Sequence, residues 1–141
     1  MIVYPDSSFL ISGYLMDRHS PTVIQRMAMQ PNVLVTPFHR AEMANAIYQQ
    51  VFRRTISNPQ AQLAFANFEQ DCAAGIWVLT DLPRTAFASC VELARRQVGI
   101  LGSRTLDTLH VAAALELKAD RFWTFDERQA KMAEAVGLAI M

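Results

Sequence analysis

LDTLHVAAALELKADRFWTFDERQ, residues 106–129, decides the fold. Leu106, Leu109, His110, Ala113 and Leu117 recur at three- and four-residue spacing, the stripe of a helix packed along one side. RFWTF (121–125) is rich in aromatic residues and reads as a strand. ERQAKMAEAV (127–136) returns to helical spacing and stops before Gly137. A short strand without polar alternation, set between two helices, suits a parallel sheet covered on both faces.

The rest of the chain repeats this pattern. MIVY (1–4), NVLVT (32–36) and IWVLT (76–80) are further apolar runs of strand length, and LAIM (138–141) offers a last one. Pro5 is expected to end the first strand, because it has no N–H to give a ladder. Helices are expected over 7–16 and around 21–29, the second starting at Pro21 after Ser20. A long helix runs from Pro37 to about Arg54 with Thr36 as its N-cap. Asn58-Pro59 opens another, which Gly75 ends; a helix over 83–98 is closed by Gly99, and one covers 103–118. Without repeats, low-complexity tracts or linkers, residues 1–141 read as a single domain. The expected architecture is a three-layer α/β sandwich with a mostly parallel central sheet flanked by helices.

Composition narrows the functional classes. With 52% apolar and 18% charged residues the chain is globular. Basic and acidic residues balance at 13 each, so no global field attracts nucleic acid or membranes. The only lysines are Lys118 and Lys131; the other basic residues are arginines, whose planar forks suit phosphate locally. Cys72 and Cys90 lack metal or disulfide spacing and read as buried thiols of a reducing compartment. No uncharged run is long enough to span a bilayer, and no basic leader opens the sequence, so a cytoplasmic address is expected.

Four acids fall where such sheets build sites, at the carboxyl ends of strands. Asp6 follows the first strand and Asp126 follows RFWTF. Asp107 lies in the first turn of its helix, whose alanines at 112–114 allow close approach to the sheet. Glu42 lies early in the Pro37 helix, off the stripe of Ala44, Ile47, Tyr48 and Val51 and alongside Phe38, Asn45 and Gln49. Converging carboxylates raise one another's pKa, and a hard divalent cation removes the conflict. Two such ions, roughly 3.5–4 Å apart, activate water and stabilise the leaving oxygen in phosphodiester hydrolysis. Each acid also has a structural alternative: Asp107 as a dipole partner, Asp126 as an N-cap, Glu42 as a solvated charge.

PDSSFLISGYL, HRAEMANAI, SRTLDTLHVAAAL and ADRFWTFDERQAKMAEAVGL together resemble the PIN-domain nucleases, most nearly the VapC-type toxins of bacterial toxin–antitoxin pairs. The likeness runs over nearly the whole chain. It implies that Asp6, Glu42, Asp107 and Asp126 hold Mg²⁺ or Mn²⁺ and activate water, leaving a 5′-phosphate and a 3′-hydroxyl on cut RNA. Ser8 and Thr124 match hydroxyl positions that support the acids, and Arg104 matches a basic position before the third acid. His110, three residues after Asp107, lies on the core stripe and matches a packing position. The resemblance further implies an RNA substrate such as transfer or ribosomal RNA, a cognate antitoxin and a homodimer. Arg40, Arg53 and Arg54 flank the Glu42 helix and are the candidate RNA patch.

Two other readings stay open. A receiver-like phosphotransfer domain also clusters acids at strand ends, but here no lysine follows RFWTF. A catalytically silent PIN fold that binds RNA or protein would keep the architecture without turnover.

Overall fold

The structure, a computed structural model, describes residues 1–141. Strands β1 (Ile2–Pro5), β2 (Asn32–Val35), β3 (Val78–Leu79), β4 (Arg121–Trp123) and β5 (Ala139–Ile140) form one sheet in the order β3-β2-β1-β4-β5. Every pairing is parallel. The chain winds outward from β1 through β2 to β3, then crosses to β4 and β5 on the other side. The switch point therefore lies between β1 and β4, where ligand sites of such sheets belong.

Helices α1 (Ser7–Tyr14), α2 (Ser20–Met27), α3 (Pro37–Phe52) and α4 (Asn58–Ala73) follow β1 and β2. After β3 come α5 (Thr85–Leu93), a π-helical segment (Ala94–Val98), the short α6 (Gly99–Leu101) and α7 (Thr105–Glu116); α8 (Glu127–Ala135) joins β4 to β5. One core layer gathers Tyr4, Leu34 and Phe122 with residues of α5, α7 and α8. The other gathers Val3, Val33, Val35 and Trp123 with residues of α1 to α4. Neighbouring residues of β1, β2 and β4 thus enter opposite layers, which is why these strands read as unbroken apolar runs.

Several boundaries differ from the sequence reading for identifiable reasons. Pro5 continues β1, in register with Trp123, because the ladder passes round its missing N–H: the Asp6 N–H donates to the Trp123 carbonyl at 2.9 Å, while the Pro5 carbonyl accepts from the His39 imidazole at 2.8 Å. Gly99 does not close the helix before it; a π-segment carries the chain on to Gly102, whose φ of 68° ends the run. Of IWVLT, only Val78 and Leu79 pair, and both are exposed, since β3 is an edge. The buried stripe of α3 is His39, Met43 and Ile47, which leaves Tyr48 exposed. Thr36 caps α3 as expected, with His39 closing the box; α4 is capped by Ser57 and Gln60. Helix α7 is buried from Asp107 to Ala114, so no single stripe describes it, while Leu106 stands half exposed.

Candidate active site

The chain turns from β1 into α1 at Asp6, whose extended backbone and carboxylate cap the helix: Phe9 N–H donates to Oδ1 at 3.1 Å. Ser8 Oγ donates to the same oxygen at 2.6 Å, and Thr124 Oγ1 donates to Oδ2 at 2.7 Å. Asp6 is only 1% exposed, and burial pushes its carboxyl above the usual carboxylate range despite these donors. Ser8 Oγ also accepts the Phe125 N–H at 3.0 Å, and Thr124 Oγ1 accepts that of Asp126 at 2.9 Å. The two hydroxyls therefore tie the end of β1 to the end of β4. Asp126 caps α8, its Oδ1 accepting the N–H groups of Arg128 and Gln129.

Asp107 lies in the first turn of α7, where Arg104 N–H and Nε donate to Oδ2 at 3.3 and 3.0 Å. The Asp107 carboxylate raises the Arg104 pKa, and the charges of Asp126 and Glu42 add to it. One exposed guanidinium thus pairs with Asp107 and feels the charge of two more of the acids. Glu42, half buried on α3, accepts from Ser7 Oγ at 2.6 Å and contacts His110 Nε2. The His110 ring is buried, meets Tyr4 Oη through Nδ1 at 3.1 Å and stacks on Phe38. It belongs to the core, as its stripe position implied, and also holds Glu42.

Gln129 joins the two deepest acids. Its Nε2 donates to Asp6 Oδ2 at 2.8 Å and to Asp107 Oδ1 at 3.3 Å. The residue is 5% exposed, and its Oε1 is buried without a partner. Ser7, His110 and Gln129 were missed as site residues. Gln129 had a legible signal, since it stands three residues after the N-cap Asp126, but that spacing also describes an ordinary helix start.

Beside the acids opens a polar cleft of about 580 Å³, lined by Glu42, Asn45, Gln49, Arg53, Arg104 and Asp107 among others. Of the three arginines expected to grip phosphate, Arg53 lines this cleft. Arg40 does not: its guanidinium is held by both carboxylate oxygens of Glu69 at 2.7 Å. Arg54 follows the end of α3 with φ 60° and is not among the lining residues. Arg104 takes their place as the second cation of the cleft.

The family model of the PIN domain matches residues 3–135. The chain belongs to the PIN domain family. Solved PIN-like structures cover it almost end to end. VapBC2 from Rickettsia felis, determined with a promoter DNA fragment, aligns at TM-score 0.70 and 13% identity over 100% of this chain and 98% of that one. VapC20 of Mycobacterium tuberculosis, a toxin that cleaves the sarcin–ricin loop, aligns at 0.71 and 15% over 97% and 96%. FitAcB from Neisseria gonorrhoeae aligns at 0.72 and 15% over 100% and 96%. At these identities the likeness is one of fold. No curated protein matches the sequence. This PIN domain has no helix long and apolar enough to cross a membrane.

Proposed function

We propose that this PIN domain is a metal-dependent endoribonuclease, the toxin of a toxin–antitoxin pair. The observation that carries the reading is the convergence of Asp6 Oδ2 and Asp107 Oδ1 on one point beside a polar cleft. No three His, Cys, Asp or Glu side chains enclose a common point as they stand. Mg²⁺ does not require that: one or two carboxylates suffice when the ion keeps several waters. Two carboxylates sharing one nitrogen, with Glu42 and Asp126 nearby, make a donor set that suits Mg²⁺ or Mn²⁺. The bound ion would supply the charge that makes a water acidic and offsets the charge of the leaving oxygen.

The chain's own residues do the rest. Asp6, clamped by Ser8, Thr124 and the Phe9 N–H, is a fixed ligand, and Asp107 is its partner from α7. Glu42, held by Ser7 and His110 on the cleft wall, is positioned to accept a proton from the attacking water. Arg104 and Arg53 meet phosphate, and the amides of Asn45, Gln49 and Gln50 meet bases or ribose hydroxyls. Attack by water leaves a 5′-phosphate and a 3′-hydroxyl. With zero net charge, recognition rests on this local patch and on the shape of the RNA, such as a tRNA or rRNA loop.

Two surfaces support the partners. A separate apolar hollow of about 460 Å³ is lined by Leu15, Met16, Ile24, Met27 and Trp77 among others and by none of the four acids. Met16 and Ile24 are 90% and 69% exposed, which suits an apolar segment of an antitoxin. Phe52 and Tyr48 near the cleft are exposed as well and suit a second copy of the chain in a homodimer. The expected site of action is the cytoplasm.

The test is incubation of wild-type and Asp107→Asn protein with total RNA in Mg²⁺, Mn²⁺ or EDTA, followed by mapping of new 5′ ends. Discrete 5′-phosphate ends that need both metal and Asp107 are expected. Metal binding without cleavage of any RNA class would favour a silent binding module instead.

A further inference from the structure

Every donor to the Asp6 carboxylate belongs to the turn that carries it or to Thr124, just after β4, except one. Gln129 comes from the first turn of α8 and reaches between Asp6 and Asp107 with a single nitrogen. Those two carboxylates, far apart in sequence and both buried, share that nitrogen. The carboxamide nitrogen, whose two hydrogens carry partial positive charge, occupies the middle position. The other end of the carboxamide is held by nothing, because Oε1 is buried with no donor in reach. A carboxamide fastened at one end only can swing or turn over once its two N–H bonds are released.

We propose that Gln129 is a placeholder for the cation. In the metal-free protein its Nε2 bridges Asp6 and Asp107 and keeps them together. If a divalent ion were held by the carboxylates, the carboxamide, fastened only through Nε2, would give up both bonds and withdraw. The glutamine is thus a positioning residue with two states, set by whether the carboxylates face a cation. This inference rests on the metal-site reading above.

Linkage gives a signature that an ordinary buried glutamine lacks. A bond made only in the metal-free state opposes metal binding, so its removal must tighten the site. Gln129→Leu removes the donors and roughly keeps the volume. We expect it to lower the melting temperature of the metal-free protein and to lower the Mn²⁺ Kd about tenfold, as loss of a bond to a charged group implies. At saturating Mn²⁺ the melting temperatures of variant and wild type should converge. Mn²⁺ binding is measured by calorimetry on the full chain without RNA, with Asp107→Asn alongside. Gln129→Met, also without donors, carries the same expectation should the leucine variant fail to fold. A Kd that is unchanged or weaker in the folded variants, while Asp107→Asn abolishes binding, overturns the placeholder and leaves the metal site standing. Wild type that binds no Mn²⁺, or binds it no better than Asp107→Asn, overturns both.

Discussion

Thr124 is the joint on which the site hangs, and its replacement by valine tests that directly. The substitution keeps the shape and exchanges one hydroxyl for a methyl. It removes the 2.7 Å bond that Thr124 Oγ1 donates to Asp6 and leaves the Asp126 N–H, which that oxygen accepts at 2.9 Å, without a partner. A bond to a charged group contributes about 1.5–3 kcal/mol, and an unsatisfied buried donor costs about 1–3 kcal/mol. Thr124 is 6% exposed, so water offsets little of the first loss, while the partly buried Asp126 N–H recovers part of the second. We therefore expect Thr124→Val to lose about 2–4 kcal/mol in urea unfolding of the metal-free protein. RNA cleavage should fall by roughly ten- to a hundredfold, because Asp6 and Asp126 lose their common tether. Thr124→Ser, which keeps the hydroxyl, should recover all but about 1 kcal/mol. Thr124→Val as stable as wild type to within about 0.5 kcal/mol would refute the reasoning, since a bond between two buried groups would then contribute nothing.

Stability should fall with acid because of His39. Burial holds that imidazole neutral, with its pKa lowered to about 3, while in the unfolded chain it takes a proton near 6.5. Its contribution is complete above pH 6.5 and is lost as pH falls toward 3, on the order of 5 kcal/mol in all. Asp6 runs the other way: its raised carboxyl favours the protonated fold, so its contribution is present in acid and lost as pH rises through its folded pKa. Urea unfolding of wild type and His39→Gln from pH 7 to 4 reads the difference; an equal decline in both would assign it elsewhere. Arg53→Ala should weaken RNA binding and reduce its salt slope by about one, whereas Arg40→Ala, already tied to Glu69, should change neither. Binding titrations at several salt concentrations distinguish them.

The architecture was legible because its signals are local. Apolar runs of strand length alternate with capped helices, and Thr36-Pro37 and Asn58-Pro59 mark helix starts that the structure keeps to within a residue. Two boundaries differ from that reading, one through a contact between distant segments and one through a local change of helix type. Pro5 stays in β1 because the Asp6 N–H donates to the Trp123 carbonyl of β4, and Gly99 fails to end a helix because a π-turn carries the chain on to Gly102.

The sequence by itself determined the strands, the helices, the family likeness and the order of the four acids, since spacing, caps and motifs are properties of short stretches. It did not determine which acids share a point. Asp6 and Asp107 meet only because β1 lies beside β4 and α8 brings Gln129 between them. Nor did it show that Arg40 is engaged by Glu69 or that Arg104 pairs with Asp107. Pairing and charge environment depend on distances of a few ångströms between segments far apart in the chain, and only the packing of sheet and helices fixes those.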